Sequence, residues 1–333
     1  MQTILTPLDG SKHGQMALAF AEDLAARYDA RLILLHVAGG SSGLPQSLYD
    51  TAAKALQASK AAPAAQDEVA AHVGQEILQK GRESARDKAV RQIETVLAYG
   101  DPSDEILRQA TDCNADLIVM GSRGFGALKG LVLGSVSHKV FHKAPCSCVT
   151  ISHSDEKPDL AGIENILVPT DGSAQADKAV ALAAEIADKY GARLALLHVM
   201  WRGPSLDQLR RSVDMNQLSE KARDELDPEQ HPVAEHVNSK IVAPVITKAT
   251  RKEIGQQILE RGKRLAEAKG VDAPKLLLRD GDPARAIVNF ARRENADLIV
   301  MGSRGLGRVE DLFAGSISYK IVHTTKKSCM VVR

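Results

Sequence analysis

The chain repeats itself, and this feature restricts its fold more than any other. Residues 4–11 return 162 positions later as residues 166–173, with an apolar run that ends in Asp-Gly-Ser in both places. Residues 115–124 recur without a single change as residues 296–305, but 181 positions later. A chain of 333 residues is long enough for two domains. We therefore expect two tandem copies of one domain.

The two spacings locate an insertion in the second copy. The spacing grows from 162 to 181 residues, so the second copy carries 19 extra residues between Val199 and Gly281. A polar stretch broken by proline lies between the copies and has the composition of a linker. We expect a first domain at residues 1–151, a linker at 152–163 and a second domain at 164–333.

The composition is that of a folded protein, and it argues against two classes of partner. Hydrophobic residues make up 44% and charged residues 26% of the sequence, far from the pattern of disorder. The 43 basic and 42 acidic residues nearly cancel, so the net charge gives no footprint for nucleic acid or an anionic membrane. No basic leader opens the sequence, and no apolar run approaches the roughly 18 residues of a membrane span. We expect a cytoplasmic protein with no nucleic-acid partner and no membrane span.

The four cysteines do not form a metal or redox motif. Cys113, Cys146, Cys148 and Cys329 include no pair in C-x-x-C spacing. Two of them stand in or beside an apolar run that is typical of a strand. The sequence predicts buried free thiols.

Short apolar runs alternate with amphipathic helices in each copy, which predicts an α/β fold. Strand, helix and strand in succession indicate a parallel sheet with right-handed crossovers. We expect two tandem doubly wound domains, each a five-stranded parallel sheet of order 3-2-1-4-5 with helices on both faces. Ligands of such sheets bind beyond the carboxyl ends of the strands. The predicted strands of the first copy are residues 4–8, 32–37, 95–99, 116–120 and 147–151.

Two glycine clusters follow the fourth strand and are candidates for a phosphate site. Gly121-Ser-Arg-Gly124 is followed nine residues later by Gly134-Ser-Val-Ser, which opens a predicted helix, and the second copy has the same spacing. Glycines let the backbone approach a phosphate, and a helix N-terminus offers free N–H groups. A single loop of this kind is commonly a simple turn, but the combination occurs twice. No lysine follows the second glycine, so this is not a P-loop.

Acidic and imidazole side chains also stand at strand ends. Asp9 and Asp171 end the first strand of each copy, where they cap the next helix, face a ligand, or do both. His36 and His198 end the second strand without a further metal-binding side chain at ligand spacing, which indicates a packed or hydrogen-bonded core histidine. We predict no metal site.

These residues resemble the universal stress protein family, in the subgroup whose G-x-x-G, nine residues, G-[ST] motif binds ATP. The resemblance covers both halves except the linker and the helical stretches at about 40–91 and 202–270. It implies an ATP ligand with Mg²⁺, an adenosine moiety flanked by the ends of the first two strands, and phosphates held by the two glycine clusters. The residues it implies in the first copy are Pro7, Leu8, Asp9, Val37, Met120, Gly121, Arg123, Gly124, Gly134, Ser135, Val136 and Ser137. Those in the second copy are Pro169, Thr170, Asp171, Val199, Met301, Gly302, Arg304, Gly305, Gly315, Ser316, Ile317 and Ser318.

The second copy departs from the family pattern in two places. Lys326-Lys327-Ser328 replaces the turn that Ala144-Pro145 provides in the first copy. Glu310 and Asp311 stand in the second phosphate loop, whereas the loop of the first copy carries Leu128 and Lys129 and no carboxylate. Carboxylates are unfavourable beside a triphosphate unless a divalent cation intervenes, so we favour the first site.

The function favoured by the sequence is that of a regulatory protein, and two alternatives stay open. In the favoured reading, nucleotide occupancy changes the assembly of the domains or the behaviour of a protein partner, and the resemblance implies a role in stress response. One alternative is a slow ATPase or an enzyme that phosphorylates itself on Ser135 or Ser316. The other is an interaction scaffold without nucleotide. The helices expected at 59–88 and 252–269 cover the sheet or present a partner surface.

The family resemblance also implies a mode of assembly. Domains of this family pair through their last strands, so the tandem chain is expected to form its own pseudo-dimer and then a homodimer. Closed, symmetric oligomers are the usual outcome of such pairing.

Overall fold

A computed structural model describes most of the chain and divides it into two compact units. The described residues are 1–38, 50, 53–54, 66–124, 133–152, 162–201, 205–227, 246–305 and 316–333, without the side chains of residues 66 and 316. The first unit comprises residues 1–162, 322–331 and 333, and the second unit comprises residues 163–321 and 332. Residues 153–161 of the expected linker lie outside the described part of the chain.

The first unit alternates strands and helices as the sequence predicts. Its strands are β1 (Thr3–Pro7), β2 (Arg31–Ala38), β3 (Gln92–Tyr99), β4 (Leu117–Gly121) and β5 (Ser147–Ile151). Its helices are α1 (Lys12–Tyr28), α2 (Gln66–Asp87), α3 (Pro102–Asp112) and α4 (Ser135–Lys143).

The second unit repeats this succession with additional short helices. Its strands are β6 (Asn165–Pro169), β7 (Arg193–Met200), β8 (Lys275–Asp280) and β9 (Leu298–Gly302). Its helices are α5 (Ala174–Tyr190), α6 (Leu206–Ser212), a 3₁₀ turn (Met215–Gln217), α7 (Glu220–Leu226), α8 (Lys248–Glu267) and α9 (Pro283–Arg293). The chain ends with α10 (Ser316–Thr324) and β10 (Ser328–Val332).

The parallel sheets confirm the predicted doubly wound order. In the first unit the order is β3-β2-β1-β4-β5, and all neighbours in it are parallel. In the second unit β9-β6-β7-β8 are parallel in the corresponding order. The central strands are buried on both faces, with Ile4, Leu5 and Leu117 at 0% exposure, because helices cover both sides.

The last strand of the chain completes the first unit. β10 pairs antiparallel with β5, and Met330 lies opposite Val149. Cys329, Met330 and Val331 are at most 1% exposed. The guanidinium of Arg333 donates to the carbonyl of Phe141 at 2.8 Å.

The helices that cover the sheet show more closely where in the second copy the insertion lies. Gly81 of α2 and Gly262 of α8 pack on leucines of β2 and β7, since an added Cβ would lie 3.1 Å from Leu34 Cδ1 and from Leu196 Cδ1. These glycines are 181 positions apart, so the 19 extra residues precede α8. Both predicted helices exist and cover the sheet, although residues 59–65 lie outside the described part of the chain.

The thiols are free, and only two of the four are buried. Cys148 and Cys329 are 1% exposed, whereas Cys113 and Cys146 are partly exposed. Burial raises the pKa of Cys146 to about 12, so its thiol stays protonated at neutral pH. The prediction of free thiols is confirmed. The prediction of burial is wrong for Cys113, which stands in the turn after α3, and for Cys146, which precedes β5.

None of the helices in the described ranges is both long and apolar enough to cross a membrane.

Candidate functional site

The turn after β1 presents an aspartate at the carboxyl edge of the first sheet. Gly10 turns the chain with a φ of 82°, a conformation that favours glycine. The Ser11 amide then donates to Asp9 Oδ1 at 2.9 Å, and Ser11 Oγ accepts from the Gly14 amide at 3.1 Å. Ser11 is therefore the N-cap of α1, and the alternative in which Asp9 caps the helix is wrong. The second oxygen of Asp9 is left for other contacts.

The second repeat builds the same turn. Gly172 has a φ of 80°, the Ser173 amide donates to Asp171 Oδ1 at 3.0 Å, and Ser173 caps α5 by accepting from the Ala176 amide at 3.2 Å. The carboxylate is again freed from the capping role.

A buried histidine holds this turn in place. His36 Nδ1 lies 2.7 Å from the Leu8 carbonyl, and burial lowers the pKa of His36, so the neutral ring donates through Nδ1–H. His198 stands in the same relation to the Thr170 carbonyl at 2.8 Å. Each carbonyl belongs to the residue before the aspartate. The prediction of hydrogen-bonded core histidines is confirmed.

The first glycine cluster packs against the β1 turn. An added Cβ at Gly124 would lie 2.5 Å from Asp9 Oδ2, and one at Gly121 would lie 2.8 Å from the backbone of His13. Gly305 stands against Asp171 Oδ2 in the same way. A glycine is needed at these positions because backbone or carboxylate already occupies the Cβ space. The structure thus brings the strand-one aspartate and the G-x-x-G loop together in both repeats.

The second glycine cluster closes the same loop. The Gly134 amide donates to the Ser122 carbonyl at 2.8 Å, and Ser137 Oγ donates to the Gly121 carbonyl at 2.9 Å. These bonds join the end of β4 to the first turn of α4. The two glycine clusters of the first copy are therefore one structural element.

The N-terminus of α4 differs from the others because it has no side-chain cap. Its N-cap is Gly134, and no side-chain capping hydrogen bond is present among the described residues. Each other helix whose N-cap is described has a capping side chain: Ser11, Asp101, Ser173, Ser205, Ser219, Thr247 or Asp282. Uncapped N–H groups and the helix dipole favour an anion.

Gly134 has no packing reason to be glycine. Its φ is −76°, which any residue adopts. An added Cβ would meet its nearest neighbour, Arg123 Cα, at an ordinary 3.6 Å. A methyl group therefore fits beside Gly134 at ordinary contact distance, in contrast to the crowded space at Gly121 and Gly124.

The other predicted site residues differ in their exposure to solvent. Leu8, Met120, Thr170, Val199 and Met301 are buried, so these side chains belong to the core. Pro7, Val37, Arg123, Val136, Pro169 and Ile317 are partly exposed, Ser135 and Arg304 are exposed, and Ser318 is 5% exposed. Gly315, the side chain of Ser316, and Leu128, Lys129, Glu310 and Asp311 lie outside what the structure describes. Across the described residues, no three metal-binding side chains are grouped to hold an ion.

The residues that hold the turn and the glycine loop in shape, without being proposed ligand contacts, were not predicted from the sequence. Ser11 and Ser173 cap the helices, and a serine directly before an amphipathic helix is the signal that identifies such a cap. His13 and Gln175 supply the backbone that crowds the first glycine of each G-x-x-G, and no sequence signal indicates this contact.

Four histidines make folding sensitive to mild acid. Burial lowers the pKa of His36 and His198, and it lowers that of His142 and His323, which also face His138, with Arg333 beside His142. The unfolded chain therefore binds more protons below about pH 6.5, so stability is lost as pH falls through that value. The loss is up to about 1.4 kcal/mol per pH unit for each of His36 and His198, and it is smaller for His142 and His323 because solvent screens them.

We expect the melting temperature to fall between pH 7.5 and pH 5.5, and His142→Gln to reduce this fall. The rings of His138 and His142 are 4.9 Å apart and those of His138 and His323 are 5.0 Å apart, so fewer charges accumulate in the variant. Differential scanning fluorimetry at both pH values measures the difference. Equal falls for the variant and the parent chain would contradict this account.

The fold and site define a tandem α/β protein with a glycine loop and an aspartate at the carboxyl edge of each sheet. The family model described as "Universal stress protein family" matches residues 1–152 and 162–333. The chain belongs to the universal stress protein family.

Known relatives agree with this assignment. Universal stress protein YxiE of Bacillus subtilis is 36% identical over 158 residues, which are 44% of this chain and 97% of the relative. A universal stress protein from Archaeoglobus fulgidus aligns over 99% of this chain and 98% of its own, with a TM-score of 0.62 and 22% identity. A protein of unknown function from Pseudomonas aeruginosa aligns over 100% and 92%, with a TM-score of 0.60 and 16% identity. The two structures show the shared fold.

Proposed function

We propose that each repeat binds an adenine nucleotide, ATP with Mg²⁺, and that the chain is a regulatory protein of the stress response. The observation that carries the proposal is the N-terminus of α4, where the N-cap Gly134 makes no side-chain capping hydrogen bond. A phosphate placed there accepts from the first-turn N–H groups and faces the positive end of the helix.

The remaining groups suit the nucleoside end of such a ligand. Asp9 Oδ2 is not used in capping, and a carboxylate accepts hydrogen bonds from amino or hydroxyl groups. Val37 follows His36 at the end of β2 and offers a partly exposed apolar surface. Because the phosphates lie at the α4 end, the carboxylate meets the donors of the adenosine and not the phosphate charge.

Binding is favoured over catalysis because the polar groups of the site hold its own backbone. Ser137 Oγ donates to Gly121, and Asp9 Oδ1 accepts from Ser11. These groups fix the loop and are not arranged as a nucleophile and base. Nucleotide occupancy then supplies a signal to a protein partner or to a homodimer.

Gly134→Ala tests the proposal with little risk to the fold. An alanine fits the backbone and the packing, so we expect a melting temperature within about 1 °C of the parent chain. The added methyl group occupies the space of the phosphate, so we expect ATP affinity at the first site to fall about tenfold, or roughly 1.4 kcal/mol. Calorimetric titration with ATP and Mg²⁺ gives both affinity and stoichiometry.

The outcomes separate the three functions. Two sites per chain in the parent, one of them weakened in Gly134→Ala, support the proposal. Steady phosphate release during the titration would establish the ATPase alternative. If no heat of binding is measured up to millimolar ATP, the interaction scaffold without nucleotide is the function that remains.

A further inference from the structure

One strand and the helix that follows it carry opposite charge in the two repeats. β3 and α3 of the first unit contain four acidic residues and one basic residue. The equivalent β8 and α9 of the second unit contain five basic residues and one acidic residue. Three equivalent positions, 181 residues apart, exchange an acid for a base: Glu94 for Lys275, Asp104 for Arg285, and Asp112 for Arg293. The repeat therefore presents one arrangement of elements with two opposite charges.

The acidic side chains of the first unit form a continuous surface. We call it the acidic edge, and its members are Glu94, Asp101, Asp104, Glu105 and Asp112. Arg31 links the strand to the helix, since its guanidinium lies 3.6 Å from Glu94 Oε2 and donates to the Cys113 carbonyl at the end of α3 at 2.9 Å. β3 is also the first strand in the order of its sheet, so this surface lies at a sheet edge.

The acidic edge keeps an excess of negative charge. Its five carboxylates pair with three cations among the described residues, because Arg108 is shared by Glu105 and Asp112 and Lys139 is shared by Asp101 and Asp104. Glu94, Asp104 and Asp112 are each more than half exposed. These three carboxylates are therefore accessible to a partner.

The basic side chains of the second unit form the equivalent surface. We call it the basic edge, and its members are Lys275, Arg279, Arg285, Arg292 and Arg293, all exposed. Strand and helix meet at Phe290 of α9, where Cζ of Arg279 lies 4.9 Å and Cζ of Arg293 lies 6.0 Å from the ring centroid. Lys275 Nζ also lies 2.6 Å from Glu294 Oε2 at the end of α9.

The basic edge keeps an excess of positive charge. Asp280 pairs with Lys248, which lies outside the basic edge, at 3.3 Å. Asp282 and Glu294 offset part of the charge of the five cations. The two guanidinium groups stacked on Phe290 hold their positions on the surface, so the basic edge is partly preorganised for an acidic partner.

The partner that fits both surfaces is a second copy of this chain. The net charge of the chain is +1, so the two edges are a local separation of charge and not part of a general excess. A polyanion such as nucleic acid matches the basic edge and leaves the acidic edge without a role. A second chain matches both edges, because each chain supplies the charge that complements the other.

We propose that the acidic edge of one chain binds the basic edge of a second chain, so that the protein assembles with itself through β3–α3 and β8–α9. This contact differs from the last-strand pairing that the family resemblance implies, and it does not depend on nucleotide. Salt screens exposed charges beyond about 10 Å at 0.1 M ionic strength, so the assembly weakens as salt rises. Contacts of this kind contribute specificity and fast association, which suits a reversible assembly.

The test exchanges charges between the repeats in the full chain without nucleotide. One exchanged chain carries Arg285→Asp and Arg293→Asp, and the other carries Asp104→Arg and Asp112→Arg. Each then has two edges of like sign, so we expect self-association to weaken about tenfold or more relative to the parent chain. A mixture of the two exchanged chains restores opposite edges, and we expect its affinity to return to within about threefold of the parent.

Sedimentation velocity at about 50 mM and about 500 mM NaCl measures these affinities, and we expect the parent to associate about tenfold more weakly at the higher salt. Lys252→Asp with Arg264→Asp is the matched control, because both residues are exposed in α8 of the same unit and the net charge changes equally. We expect this control to associate like the parent. Thermal melting shows that each chain is folded, and Lys275→Glu and Glu94→Lys replace the exchanges if either chain melts early.

Four results would overturn the proposal. The first is a parent chain that stays monomeric at both salt concentrations up to about 100 µM, even if it then binds a DNA oligonucleotide through the basic edge. The second is exchanged chains that associate as strongly as the parent. The third is a mixture that associates no more strongly than its components. The fourth is an equal loss of association in the α8 control, which would show a general effect of net charge.

Discussion

Gly124→Asp should abolish nucleotide binding at the first site, and Gly305→Asp at the second. The new side chain has no room, because an added Cβ at Gly124 already lies 2.5 Å from Asp9 Oδ2. It also places a second carboxylate in a loop that is proposed to hold phosphate. Like charges about 5 Å apart repel by roughly 3 kcal/mol at an effective dielectric constant of about 20, which weakens affinity by about 100-fold or more.

Calorimetric stoichiometry measures this loss. The parent chain should bind two nucleotides, each single variant one, and the double variant none. Gly162→Asp is the matched control, because nothing lies within 4 Å of an added Cβ there and the same charge is introduced. Full binding by the double variant would show that the glycine loops are not the phosphate sites.

The second large effect concerns stability and comes from the end of the chain. Met330 is fully buried in β10, and Met330→Ala leaves a cavity beside β5. We expect the free energy of unfolding of the first unit to fall by about 2–5 kcal/mol. Tyr99→Ala is the control, because Tyr99 is 60% exposed and its loss should change the same free energy by less than about 0.5 kcal/mol.

Hydrogen exchange locates the effect. In the Met330→Ala chain the amides of β5 should exchange faster, because their ladder partner is destabilised. Unchanged protection of Val149 and Thr150, together with an unchanged urea transition, would contradict the assignment of β10 to the first unit.

The fold was predictable because the same pattern is written twice. Alternating apolar runs and amphipathic helices indicate a doubly wound parallel sheet, and the identical segments at residues 115–124 and 296–305 fixed the correspondence between copies. The strand boundaries predicted for the first copy differ from those of the structure by only a few residues. Short-range signals of this kind depend on the chain itself and need no knowledge of tertiary contacts.

The site was predictable in its members but not in its contacts. Asp9 and Gly124 are far apart in sequence, and only the meeting of β1 and β4 places the carboxylate against the glycine. The sequence left two roles open for Asp9, capping the next helix or facing a ligand. It did not identify the cap, because aspartate and serine are both good N-caps and the pattern Asp-Gly-Ser contains both. The hydrogen bond from the Gly14 amide to Ser11 Oγ decides between them.

The strand that β10 pairs with could not be predicted from the hydrophobic pattern. Residues 147–151 and 328–332 are both short apolar runs, and periodicity does not tell which strand a given edge will accept. The contact between Ser212 at the end of α6 and Gly172 was not predictable for a similar reason, since the amphipathic pattern of a short helix does not identify the turn against which it packs.

The place of β10 in the first unit has a consequence for how the protein is made. Residues 1–152 leave the ribosome well before β10 is synthesised, and at about 5 to 20 residues per second the delay is roughly 10 to 35 seconds. During that time the edge of β5 has no β10 partner, and an open strand edge is a template for pairing with other chains. Newborn chains on one messenger RNA, held close together, are thus most exposed to mutual strand exchange until translation ends.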